Sequence, residues 1–164
     1  MALIIEDGSG VANADSLTTL AEVRAFAANR GATVSATDAT LEAQIRVAHD
    51  YLLAVEGRLA GSRAVGGQAL PFPRKGVWLF GDALPDDSIP VQVKNAIAQL
   101  VIEGTTQDVM PSTDGRVVTQ ETVGPISTSY ANTGAAGQTP TLPRVEAMLA
   151  PFYIGGATLR TFRG

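Results

Sequence analysis

The sequence predicts a mainly α protein: a small helical bundle of three main helices and a short C-terminal one, with a β-hairpin or β-ribbon arm and an extended C-terminal tail. Three observations carry this. Apolar residues recur every three to four positions in separate stretches before residue 105, as in helices with one buried face. Beyond Pro111 that period is lost, and Thr, Val and Ser partly alternate on either side of Gly124-Pro125. Between the second and third helical stretches, Gln68-Ala69-Leu70-Pro71-Phe72-Pro73-Arg74 carries two prolines, each of which fixes φ and disfavours helix in the residue before it. At 164 residues the chain is long enough to bury one sizeable core, so a single domain is expected. Its parts are an N-terminal arm with the helical core (1–110), a β-arm with a flexible linker (111–142), and a short helix with a C-terminal tail (143–164).

The chain opens with a short apolar run, Ala2 to Ile5, and a turn-rich polar patch, Glu6 to Gly10. Asp7, Ser9, Asn13 and Asp15 superficially suggest a calcium loop. Ala12 stands where that loop needs glycine, however, and Thr18 where it needs a bidentate glutamate. The stretch reads as an arm leading into a helix. Ser16 is the expected N-cap of the first helix, Leu17 to Arg30, with Gly31 as its left-handed stop. Leu20, Val23, Phe26 and Ala27 form its inner stripe. Thr37 and Asp38 open the second helix, Ala39 to Glu56, closed by Gly57, and Leu41, Ile45, Ala48, Leu52 and Val55 face inward. Glu42–Arg46 and Arg46–Asp50 are i,i+4 pairs on a face that reads as solvated.

Arg58 to Gly67 reads as a loop. The Gln68–Arg74 run should be extended and rigid, with Leu70 and Phe72 plugging a neighbouring apolar groove. Asp82, Asp86 and Asp87 suit the positive N-terminal end of the third helix. That helix runs from Ile89 or Pro90 to Glu103, with Val93, Ile97, Leu100 and Val101 buried and Gly104 ending or weakening it. Val117–Val123 and Ile126–Tyr130 are expected strands, paired with each other or with a neighbouring subunit, since Gly-Pro is not a favoured two-residue hairpin turn. Thr133 to Thr141 is a Gly/Ala/Thr-rich linker, and Pro143 starts a short helix ending near Leu149.

Composition restricts the chemistry. Net charge is −4, a balance that argues against generic phosphate binding by clustered Lys and Arg. Cysteine is absent, which removes disulfides and thiolate metal sites. No apolar run is long enough to span a bilayer, and a soluble protein made in the cytoplasm is expected. The single histidine, His49, has no evident partner on its helix face and reads as a surface or subunit-contact residue. Ser9 lies between glycines but lacks the spacing of a nucleophile elbow, and no glycine-rich phosphate cradle occurs. An enzyme is not expected: no catalytic, cofactor-binding or metal residue stands out.

Several ordered pieces carry a family resemblance. They are Glu6-Asp7-Gly8, Ala48-x-Asp50-Tyr51-Leu52, Gln68-Ala69-Leu70, Pro73-Arg74, Pro90-x-x-Val93-Lys94, Val123-Gly124-Pro125-Ile126 and the terminal Arg163-Gly164. Together they resemble the small head–tail adaptor, or connector, proteins of tailed bacteriophages, a family often labelled DnaT-like single-stranded-DNA-binding proteins. Phe72 stands where that family tends to have Trp, and Gly76 to Asp82 lengthens the loop before the third helix. The resemblance implies a virion protein of the neck: a dodecameric ring beneath the portal, joined to a downstream neck or tail-completion protein. Double-stranded DNA would pass through its lumen without specific binding, and no membrane is involved. The competing readings are a single-stranded-DNA-binding replication protein and another neck or tail-tube component.

The residues expected to contact portal or a neighbouring subunit are Trp78, Tyr130, Phe152, Tyr153, Leu159, Arg160, Phe162 and Arg163. Trp78 reads either as a packed loop anchor or as an interface aromatic. The stretch Pro143 to Gly164 reads as a docking arm beyond its linker, or else as a segment in which Met148, Leu149, Phe152 and Tyr153 close the subunit's own core.

Overall fold

The computed structural model describes residues 2–110 and 142–155, together with the backbone of two short strands at 120–123 and 126–129. Its helices are α1 (Leu20–Ala28), α2 (Asp38–Ala54), α3 (Val91–Glu103) and α4 (Pro143–Leu149). The expected mainly α bundle with a β-hairpin arm is what forms. Helix α3 is its centre and packs against the other three. Its sequence explains why: Val93, Ala96, Ile97, Ala98, Leu100 and Val101 are all buried, so the helix is apolar on several sides and its alanines let neighbours approach closely. The core closes with Leu41, Ile45 and Leu52 from α2, Leu70 and Phe72 from the proline-rich run, and Val145, Leu149 and Phe152 from the C-terminal segment.

Six short strands pair as three antiparallel hairpins: β1 (Ser62–Arg63) with β2 (Arg74–Lys75), β3 (Trp78–Leu79) with β4 (Asp82–Ala83), and β5 (Gln120–Val123) with β6 (Ile126–Ser129). The last pair has Val123 opposite Ile126, so within this chain these strands pair with each other. Gly124, Pro125 and Tyr130 lie outside the described residues. The first two hairpins fall within 58–83, where the sequence reading has a loop, an extended run and a packed anchor. Two-residue strands leave no alternating pattern to read.

Other expectations need correcting. Helix α1 begins at Leu20, because Thr19 and Glu22 form a reciprocal capping box that outcompetes Ser16 as the cap. Ser16 is instead fully buried, its hydroxyl bonded to the Thr18 carbonyl and amide. Helix α2 stops at Ala54, and Glu56–Arg58 continues as one 3₁₀ turn. Its supposedly solvated face is solvated only in part: Asp50 is exposed, but Glu42 is buried, and Arg46 Nε donates to Asp15 of the N-terminal arm at 2.8 Å. His49 is not on the surface. Only 2% exposed, it accepts the Leu17 N–H at Nε2 (2.9 Å), and its Nδ1 lies 2.8 Å from the Ile45 carbonyl, which fixes the Nδ1–H tautomer. Burial pushes its pKa below the ordinary value.

The arm has its own organiser. The buried Glu6 carboxylate accepts from the N–H groups of Gly8, Gly10 and Val11, at 2.7–2.9 Å. The calcium-loop likeness therefore dissolves into structural roles: Asp7 caps Ser9, and Asp15 holds Ile4 and Arg46.

Candidate nucleic-acid interface

The proline-rich run builds the platform on which the candidate site stands. Leu70 and Phe72 are buried as expected, and the Phe72 ring meets Phe152 edge-on at 5.7 Å. The Phe72–Pro73 bond is cis. Two buried side chains bond the carbonyls of this run and of the Leu59–Gly61 segment beside it. Gln68 accepts from the Val65 N–H and donates to the Leu70 and Pro73 carbonyls. Arg74, 4% exposed, donates to the carbonyls of Leu59, Ala60, Gly61 and Pro71. Glu56 supplies the countercharge: it binds Arg63 at 2.6 Å and Arg74 at 3.4 Å, and Arg63 above all holds its carboxyl below the usual range. Gly61 completes the fit, since at φ 72° any β-carbon would lie 2.2 Å from the Lys75 carbonyl. The Gln-Ala-Leu-x-x-Pro-Arg motif is thus a structural clamp.

From this clamp β3 and β4 project. Leu84 N–H bonds back to the Val77 carbonyl, and buried Val77 anchors the base. The turn consists of Phe80 and Gly81 at φ 54° and 101°, both positive as in the type I′ turns that match strand twist. Asn or Gly normally fills the first of these positions; a bulky side chain in the left-handed region costs roughly 1–2 kcal/mol. Phe80 nonetheless sits there, 81% exposed, and Trp78 beside it is 61% exposed. Two aromatics, two positions apart in the chain, are therefore exposed on one hairpin, Phe80 in a strained conformation that burial does not compensate.

The electrostatics around them are sparse. Arg24, Arg46, Arg58, Arg63, Arg74 and Lys94 each face a carboxylate within 4.0 Å. Among the described residues, Arg30, Lys75 and Arg144 are exposed and make no ion pair, and Arg30 is held at the end of α1 over the Phe26 ring at 3.5 Å. Lys75 lies at the end of β2, three residues before Trp78. Asp82, Asp86 and Asp87 are exposed on the other side of the turn.

Of the residues singled out in the sequence, only Trp78 belongs to this platform. Tyr130, Leu159, Arg160, Phe162 and Arg163 lie outside the described residues. Phe152 is a correction: at 1% exposure it fills the subunit's own core and is not available to a partner. Tyr153 is half-buried, pairs with Leu59 in an isolated bridge, and is covered by the Arg58 guanidinium at 4.2 Å. Burial and the nearby Glu146 carboxylate push its hydroxyl up to about 12. Glu146 also accepts from Tyr51 (2.8 Å) and Arg58 (2.8 Å), which ties α4 to α2. Residues 143–153 are thus part of the core and not a detached arm.

Phe80 is the residue that sequence reasoning missed. The available signal was Phe-Gly flanked by short apolar runs, a weak version of the Asn-Gly hairpin signature.

In class, then, the molecule is a small helical domain presenting an aromatic hairpin from a hydrogen-bonded clamp. The chain belongs to the DnaT-like ssDNA-binding protein family, whose model it matches over residues 1–164. No curated protein and no solved structure matches it. The family corrects the expected virion adaptor: its description is of single-stranded-DNA binding, the runner-up reading, and names no portal, neck or ring.

Proposed function

We propose that the protein binds single-stranded DNA weakly and without sequence preference, by stacking bases on Trp78 and Phe80. The observation that carries this is Phe80, nearly fully exposed and left-handed at the tip of a type I′ turn. Folding alone would favour Asn or Gly at that position, so a contact role accounts for the ring. The family description supplies the ligand class. Base–aromatic stacking is worth about 1–3 kcal/mol per base and is indifferent to which base stacks. A duplex hides its base faces, so stacking by itself favours single strands. Charge contributes little, because net charge is −4 and most described cations are already paired.

The test is fluorescence anisotropy of a labelled oligo-dT against the full chain, with a duplex of equal length as control. Saturable binding of the single strand, weaker binding of the duplex, and loss of the former in Trp78→Ala are expected. Equal affinity for both nucleic acids, or binding untouched by Trp78→Ala, would refute stacking on this hairpin.

A further inference from the structure

We propose that Ala83 is a positioning residue of the stacking site: it leaves the Trp78 ring uncovered and so fixes where a base lies. The role rests on base stacking by Trp78, the function proposed above. In the hairpin, Trp78 pairs with Ala83 and Leu79 with Asp82. The Leu84 N–H bonds the Val77 carbonyl, so by the alternation of an antiparallel pair Trp78 and Ala83 are non-hydrogen-bonded partners. Opposed side chains come closest in pairs of that kind.

The pleat sorts the hairpin into two faces. Val77, Leu79 and Leu84 share one: Val77 is buried, and the two leucines pack against the core. Trp78 and Ala83 share the other, and both are exposed. Asp82 stands opposite Leu79, on the core-side face, so the acidic residue beside the turn does not share the face of the indole.

Strands favour β-branched and aromatic residues, and such a residue opposite an aromatic adds a stabilising cross-strand contact. Alanine offers Trp78 only a β-carbon, which agrees with the 61% exposure of the tryptophan. Folding alone would favour Ile, Val or Tyr at position 83. Two residues of one hairpin thus depart from local folding preference, Phe80 in the turn and Ala83 opposite Trp78, and both departures keep an aromatic ring accessible. An unpaired base stacked on the indole over Ala83 occupies the space that a larger side chain would fill.

The test compares wild type with Ala83→Ile and Ala83→Ser in the full chain. Acrylamide quenching of Trp78 fluorescence measures access to the ring without DNA, and oligo-dT anisotropy measures binding. Ala83→Ile should cover the indole: quenching falls and Tm rises by up to about 4 °C through the gained cross-strand contact. Its Kd for oligo-dT should rise roughly 5- to 150-fold, the loss of one stacked base. Ala83→Ser stays small and should keep wild-type quenching and Kd. Stability and binding therefore move in opposite directions, whereas a merely structural role for residue 83 would move them together. Wild-type affinity in Ala83→Ile, unchanged quenching in that variant, a fall in its Tm alongside lost affinity, or an equal loss of affinity in Ala83→Ser would overturn the proposal while the single-strand reading stands. Wild type that binds no oligo-dT would refute the single-strand reading itself, and the role of Ala83 with it.

Discussion

Replacing Phe80 with Asn should make the protein more stable and less able to bind DNA. Phe80 holds φ 54° in the first position of its turn, a conformation that costs a bulky residue roughly 1–2 kcal/mol and that Asn adopts readily. Because the side chain is 81% exposed, its removal gives up little burial. A net stabilisation of about 1 kcal/mol follows, which raises Tm by about 2–4 °C for a domain of this size. On the binding side, one lost stacking partner costs about 1–3 kcal/mol, a Kd increase of roughly 5- to 150-fold. Thermal melting followed by circular dichroism gives the first number and oligo-dT anisotropy the second. A fall in Tm would mean that Phe80 holds the fold together. A raised Tm with unchanged affinity would mean that the ring is not part of the DNA site.

Other consequences follow from the same geometry. Leu52→Ala, at a fully buried position on α2, should cost about 2–5 kcal/mol in denaturant unfolding. A chain truncated after Thr141 lacks Leu142, Val145, Leu149 and Phe152, all buried in the shared core, and should fail to give a cooperative melt. His49 has its pKa lowered by burial, so the unfolded state takes up a proton first as pH falls. Its contribution to stability is complete above about 6.5 and declines as pH drops from there through the folded-state value. Urea midpoints measured between neutral and mildly acidic pH should fall, and His49→Gln should flatten that dependence. Glu22 acts lower on the scale: burial raises its pKa, but bonds from the Thr19 amide, Lys94 and the Thr19 and Thr18 hydroxyls outweigh this and hold it at about 2. Lys75→Gln should lower the slope of log K against log salt by about 0.7, the contribution of one phosphate contact on a single strand.

How much of this was legible in the sequence depends on what each residue is bonded to. The bundle was readable because the stripes through Val23, Ile45 and Ile97 are local and periodic, and the fourth helix because Pro143 marks its start. Gly104 does cap α3, and Gly31 does take a positive φ of 65° after α1. Errors arose where distant partners decide. His49 lies four residues after Ile45 and three before Leu52, which places it on the inner face, but its acceptor role depends on Leu17, thirty-two residues away. The cap of α1 is the exception, since the Thr19–Glu22 capping box is local and competes with Ser16 within the same few residues.

The candidate site was half legible. A lone tryptophan in an apolar run invites an interface reading, whereas the exposure of Phe80 depends on a turn whose first residue breaks the usual composition rule. Gln68 and Arg74 were visible as a motif, but their bonds to the carbonyls of Leu70, Pro73, Ala60 and Gly61 appear only in three dimensions.

The most direct measurement uses Trp78, the only tryptophan in the chain and a member of the platform. Its intrinsic fluorescence, followed at low protein concentration during titration with unlabelled oligo-dT, reports stacking on the indole itself. The account predicts saturable quenching that is retained at elevated salt, weaker with duplex, and shifted to higher DNA concentration in Phe80→Asn. Emission that stays unchanged while anisotropy shows the oligonucleotide binding would place DNA elsewhere on the protein and contradict the account.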